Sequence, residues 1–134
     1  MSHKGWIGVD LDGTLAIYDK WVAWNVIGPV IEPMKQRILK WLEEGKTVKI
    51  FTARVAFEVD KCYVTGVTFT CDMIEKEIQD WLELNGMPRL ECTATKDFQM
   101  IELWDDRAVQ VIPNTGRTLH EGTESELTAL RGKP

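Results

Sequence analysis

Apolar positions along this chain fall into two spacings. GWIGVD, from Gly5 to Asp10, is a short, nearly continuous apolar run of the kind a buried parallel strand carries. KTVKIFTAR predicts a second strand ending at Thr52, RLECTAT a third running up to Lys96, QMIELWDD a fourth and AVQVIP a fifth. Between them the period lengthens. Met34, Ile38, Trp41 and Leu42 line one face of a helix starting near Pro33, a residue suited to the first helical turn, and Gly45 is its stop. Ile74, Ile78, Trp81 and Leu82 give a second helix its apolar face, with Asp72 and Glu75 as a capping box and Asn85-Gly86 as its end. Thr123 and Glu126 cap a short terminal helix.

Two stretches resist both periods. Thr14 to Ile31 carries Tyr18, Trp21, Trp24 and a Gly28-Pro29 turn signal, and reads as a long loop or flap. Within Arg54 to Cys71, YVTGVTFT alternates like a hairpin around Thr65-Gly66.

Strands separated by helices imply βαβ units, hence an α/β fold with a mainly parallel sheet and helices on its faces. Such sheets bind ligands outside the carboxyl ends of their strands. Asp10, Thr52 and Asp105 all stand at predicted carboxyl ends, and Lys96 lies just beyond another. Four strand ends, each with a polar residue, exceed what ordinary turn chemistry requires.

Composition narrows the frame. At 134 residues, 44% apolar and 28% charged, the chain reads as one globular domain over 1–134 with a real core. Its net charge of −5 offers no electrostatic reason for a nucleic-acid or anionic membrane surface, yet leaves a nucleotide substrate open. Cys62, Cys71 and Cys92 are an odd set without paired spacing, which favours a reducing cytoplasm and a packing role. No signal peptide or membrane span is visible, so the expected location is cytoplasmic and no membrane partner is expected.

The strand-end residues comprise two acids (Asp10, Asp12), a hydroxyl (Thr52), an amine (Lys96) and a second acid pair (Asp105, Asp106). Hard oxygen ligands of this kind suit Mg²⁺, which combines a few carboxylates with water and phosphate oxygens. An Asp carboxylate can itself attack phosphorus, and a second acid two positions on can serve as acid and then base.

In order and spacing, these segments resemble the haloacid dehalogenase-like (HAD) superfamily. VDLDGT is similar to its first motif, KIFTAR to its second, Lys96 in ATKDF to its third and IELWDD to its fourth. The resemblance implies a Rossmann-like three-layer sandwich with helices on both faces of a five-stranded sheet and the first strand central. It implies that Asp10 is the nucleophile and a Mg²⁺ ligand, and that Asp12 is the acid and base, its backbone carbonyl touching the metal. Thr52 and Lys96 would hold the phosphate, and Asp105 would complete the metal site with Asp106 beside it. The acid at Asp12 favours a phosphatase over a dehalogenase.

HAD enzymes often insert a cap domain after the first or second motif. Neither interval here has room for one, so a capless member is expected, with an open site or one completed by a second subunit of a homo-oligomer. Substrate contact then falls to the two excursions: Trp21 and Trp24 to stack on a base or sugar, and Arg54 either as a cation near the leaving group or as a structural ion-pair residue. The expected activity is hydrolysis of a phosphate monoester through an aspartyl-phosphate intermediate. A nucleotide, a sugar phosphate and a nucleic-acid terminal phosphate all remain candidate substrates. A phospho-accepting domain resembling response-regulator receivers, or a non-catalytic module binding a phosphorylated ligand, are the alternatives.

Overall fold

The computed structural model describes residues 5–56, 59–61 and 68–131. Its elements run β1 (Trp6–Val9), α1 (Glu32–Glu43), β2 (Thr47–Phe51), a 3-10 turn (Ala53–Val55), β3 (Val59–Lys61), β4 (Thr68–Thr70), α2 (Cys71–Leu84), β5 (Cys92–Thr93), β6 (Met100–Trp104), a second 3-10 turn (Leu119–Glu121) and α3 (Glu124–Arg131). The main sheet has four parallel strands in the order β5-β2-β1-β6. No helix among the described residues is long and apolar enough to cross a membrane.

β1 lies inside the sheet because every one of its positions is apolar or glycine, and all four are buried. Strand alternation divides those side chains between two faces. Ile7 and Val9 point the same way as Val48 and Ile50, their register partners on β2. These four pack with Ile38 of α1 and with Ile74, Ile78 and Leu82 of α2 in one cluster. The steps β1 to β2 and β2 to β5 run in the same direction across the sheet, so right-handed crossovers put α1 and α2 on the same face. Helices on both faces were expected, but the core cluster draws on these two helices alone. The opposite face is occupied by Trp6, which packs beside Phe51 at 6.5 Å and beneath the Lys49 ammonium at 4.8 Å.

Both long helices end as their glycines predict. Gly45 and Gly86 take positive φ, at 82° and 81°. This lets the next residue's N–H reach back to Trp41 and Leu82 respectively, each at 2.9 Å. The start of α2 differs from the expectation. Thr70, not Asp72, is the N-cap, its hydroxyl accepting from Met73 N–H at 3.3 Å. Glu75 instead accepts from Cys92 N–H at 2.7 Å and ties α2 to β5. Thr123 and Glu126 do form the terminal cap, each accepting the other's N–H.

The sheet has four strands rather than five, because AVQVIP does not join it. Val111 makes only an isolated bridge to Thr118, and Val109 and Val111 face solvent. Downstream turn chemistry overrides the alternation. Asn114 and Gly116 adopt positive φ, and Ile112 N–H bonds Arg117 O at 2.8 Å, folding the segment onto itself. RLECTAT contributes only the two residues of β5 to the sheet. β3 and β4 pair antiparallel, Val59 opposite Thr70, so a hairpin does occupy this region. The Thr65-Gly66 turn expected at its tip, with Cys62, lies outside the described residues.

Candidate functional site

The strand β1 delivers Asp10 to the carboxyl edge of the sheet. Its ladder with β6 continues one residue further, Asp10 N–H donating to Trp104 O at 2.9 Å. Leu11 then turns into the core, fully buried, so the acids on either side of it are directed away from that core. The Leu11 carbonyl accepts from the N–H groups of Thr14, Leu15 and Ala16, which closes the chain into a tight loop. Gly13 has φ +93°, and a Cβ there would stand 2.5 Å from Asp106 Oδ2. Glycine is required here twice over, by the backbone angle and by the approach of an acid 93 positions along the chain.

Thr14 joins the two acidic turns. Its Oγ1 accepts from Asp106 N–H at 3.0 Å and lies 3.4 Å from both Asp10 Oδ2 and Asp106 Oδ1. Asp105 Oδ1 accepts from Arg107 N–H at 2.7 Å, which holds the end of β6 in a turn. Asp10, Asp105 and Asp106 each bring a carboxylate oxygen to within 4.8 Å of the others. The Asp10 carboxyl is pushed up from its ordinary 3.8 to about 7, first by burial and then by the neighbouring charge of Asp105, with Asp106 and Asp12 adding to it. Among the described residues no lysine or arginine pairs with this triad.

The Asp12 carboxylate faces elsewhere. Arg54 grips it with two parallel hydrogen bonds, Nε to Oδ2 at 2.7 Å and Nη2 to Oδ1 at 2.8 Å. The same guanidinium donates to the carbonyls of Trp24 at 3.1 Å and Val26 at 3.0 Å, and sits 4.8 Å from the centre of the Trp21 ring. Arg54 is therefore buried, with four of its five N–H donors in hydrogen bonds that bind the flap to the first acidic turn. Of the two roles expected for it, the structure has it in an ion pair. Thr52, also buried, begins the 3-10 turn that presents Arg54, its Oγ1 accepting from Arg54 N–H at 3.1 Å.

A cavity of about 360 Å³ opens beside these groups, lined by Asp10, Asp12, Thr52, Arg54, Asp105 and Arg107. Tyr18, Trp21 and Phe51 form its aromatic wall. Three residues of the expected site are placed differently. Lys96 lies beyond β5, exposed and away from the cavity lining. Trp24 is half-buried against the core cluster and does not line the cavity. Asp106 belongs to the acidic triad but not to the lining.

Arg107 was not among the residues expected at the site, yet the turn after β6 brings it to the cavity. Its only advance signal was its position directly after the acid pair. Neither of the described cysteines, Cys71 and Cys92, lines the cavity. Burial, with Glu75 and Glu91 nearby, pushes the Cys92 thiol up to about 12, which disfavours its reactive thiolate.

No family model matches this chain, and neither the curated proteins nor the solved structures contain a significant match.

Proposed function

We propose that this protein is a Mg²⁺-dependent phosphatase of the HAD type, hydrolysing a phosphate monoester through an aspartyl phosphate on Asp10. The observation that carries the reading is the convergence of Asp10, Asp105 and Asp106 at the carboxyl ends of β1 and β6, beside a cavity that also receives Thr52 from the end of β2. Parallel α/β sheets bind ligands at this edge.

The donor set fits the metal. Three carboxylates offering hard oxygens within 4.8 Å of one another match the ligands Mg²⁺ takes, with water and substrate oxygens completing its shell. When bound, Mg²⁺ would supply the positive charge that offsets repulsion between the Asp10 carboxylate and an anionic phosphate. The Asp10 pKa is raised first by burial and then by the like charges of Asp105, Asp106 and Asp12, and a bound cation would offset that second part.

The chain's own residues account for the remaining steps. An Asp10 carboxylate oxygen attacks phosphorus, and the bond from phosphorus to the leaving oxygen breaks. Asp12, in its protonated form, gives that oxygen its proton. Water then attacks the aspartyl phosphate while Asp12 takes a proton from it, which releases inorganic phosphate and restores Asp10. Arg54 uses one lone pair on each Asp12 oxygen, and a carboxylate has about four such sites, so both proton transfers can use the remainder. Thr52 N–H is committed to Thr93 O at 2.9 Å, leaving its hydroxyl as the group that can donate to a phosphate oxygen. Arg107, lining the cavity with no acid in ion-pair range among the described residues, is better placed than Lys96 for the second phosphate contact.

The test is hydrolysis of p-nitrophenyl phosphate by the purified protein with Mg²⁺, with chelator and as Asp10→Asn. Turnover should need Mg²⁺ and vanish in the variant while its circular dichroism is unchanged. Full turnover in Asp10→Asn would overturn the nucleophile assignment, and indifference to chelation would overturn the metal.

A further inference from the structure

Resting on that phosphatase reading, we infer that the leaving group of the substrate is a nucleoside, its base stacked on the outer face of Trp21. Trp21 is 53% exposed, a costly position for an indole, yet its ring has not collapsed into the core. Arg54 holds it out. The guanidinium lies 4.8 Å from the ring centre and is itself fixed by Asp12 and by the Trp24 and Val26 carbonyls. A buried cation held by four hydrogen bonds beneath one face leaves the other face as a pre-oriented platform, so little ordering cost is left for a ligand to meet.

The platform belongs to the cavity that contains Asp10, so a ligand whose phosphate reaches Asp10 can extend along it. Tyr18 and Phe51 extend the aromatic wall, and the volume of about 360 Å³ falls in the range of roughly 300–1,000 Å³ usual for small-molecule pockets. A flat base gains most from such a wall, because every nucleobase presents a π-face to an aromatic ring whatever its hydrogen-bonding edge. Arg107 adds a cation at the cavity wall for the phosphate. Trp24 is excluded as the platform, since it packs against the core cluster. The net charge of −5 favours a free mononucleotide over the phosphorylated end of a strand.

The experiment compares kcat/KM, with Mg²⁺ present, for adenosine monophosphate, glycerol 2-phosphate and a short oligonucleotide carrying a terminal phosphate. It uses the wild type, Trp21→Phe and Trp21→Ala, each checked for an unchanged thermal melt. The ratio of adenosine monophosphate to glycerol 2-phosphate should fall about 10- to 100-fold in Trp21→Ala and be largely kept by Trp21→Phe. Calorimetric titration of Asp10→Asn should detect adenosine monophosphate binding that Trp21→Ala weakens in the double variant. Preference for the oligonucleotide would still support a nucleoside leaving group, supplied by a strand end. Glycerol 2-phosphate hydrolysed as well as the nucleotide, or a Trp21→Ala loss equal for both, would overturn this inference while leaving the phosphatase reading intact. Hydrolysis of none of the three would overturn this inference, and absence of p-nitrophenyl phosphate turnover as well would overturn the phosphatase reading.

Discussion

Replacing Asp10 by Asn should make the metal-free protein more stable, by an amount that depends on pH. The Asp10 carboxyl is half-buried and crowded by Asp105, Asp106 and Asp12, and its pKa in the folded state is raised from 3.8 to about 7. Between those values the folded protein keeps a proton that the unfolded chain has lost, so stability falls as pH rises through the window. The penalty is absent below about pH 4 and complete above about pH 7. Conversion at 1.36 kcal/mol per pH unit gives an upper bound of roughly 4 kcal/mol. The site is open to water, which screens the cluster, so about 1–3 kcal/mol is the working figure. Asn keeps the shape and loses the charge. In chelator, Asp10→Asn should melt roughly 3–10 °C above the wild type at pH 8, with the gap shrinking toward pH 4.5. Saturating Mg²⁺ should then raise the wild type, by about 2.7 kcal/mol at 100 times its Kd, and leave the variant nearly unmoved. Thermal melts over pH 4.5–8, with chelator and with Mg²⁺, read all of this. A variant no more stable than wild type at pH 8, or a gain independent of pH, would refute the charge-crowding argument.

Other outcomes follow from the same geometry. Arg54→Met removes the donors that Arg54 gives to the Asp12 carboxylate and to the Trp24 and Val26 carbonyls, and should cost about 3–5 kcal/mol in urea denaturation, chiefly by leaving the Asp12 charge without its cation. Adding Asp12→Asn should recover part of that loss, and a coupling energy below about 0.5 kcal/mol would mean the pair is not a unit. Gly13→Ala, which places a Cβ on Asp106 Oδ2 at a φ of +93°, should lose about 1–3 kcal/mol and weaken the response of the melt to Mg²⁺. Thr70→Ala should cost about 1 kcal/mol as a lost helix cap, whereas Asp72→Ala should be nearly neutral; the reverse ranking would return the cap to Asp72.

Much of the architecture was legible in local pattern. The apolar runs of β1 and β2, the helical faces through Ile38 and Ile78, and the glycine stops at Gly45 and Gly86 are set by neighbours a few residues apart, and each occurs where its pattern predicts it. The acids at the ends of β1 and β6 were legible for the same reason. β1 is buried at every position and surrenders its first polar residue at its end, and β6, an exposed edge strand parallel to it, brings its acid pair to the same edge. AVQVIP failed because alternation says nothing about whether a ladder partner is available, while Asn114 and Gly116 had a turn to make.

The tertiary structure decided what lies farther apart than one element. Asp12 and Arg54 are 42 residues apart, and their bidentate pairing, which also fixes the flap and the Trp21 ring, follows only from the closeness of the β1 and β2 ends. The same holds for Arg107 at the cavity in place of Lys96, and for Trp21 rather than Trp24 on its wall. It holds also for α1 and α2 sharing one face, since the direction of each strand step is a property of the whole sheet. Local sequence determines which residues reach an edge, because periodicity is local. Which of them meet there is set by strand order and loop path.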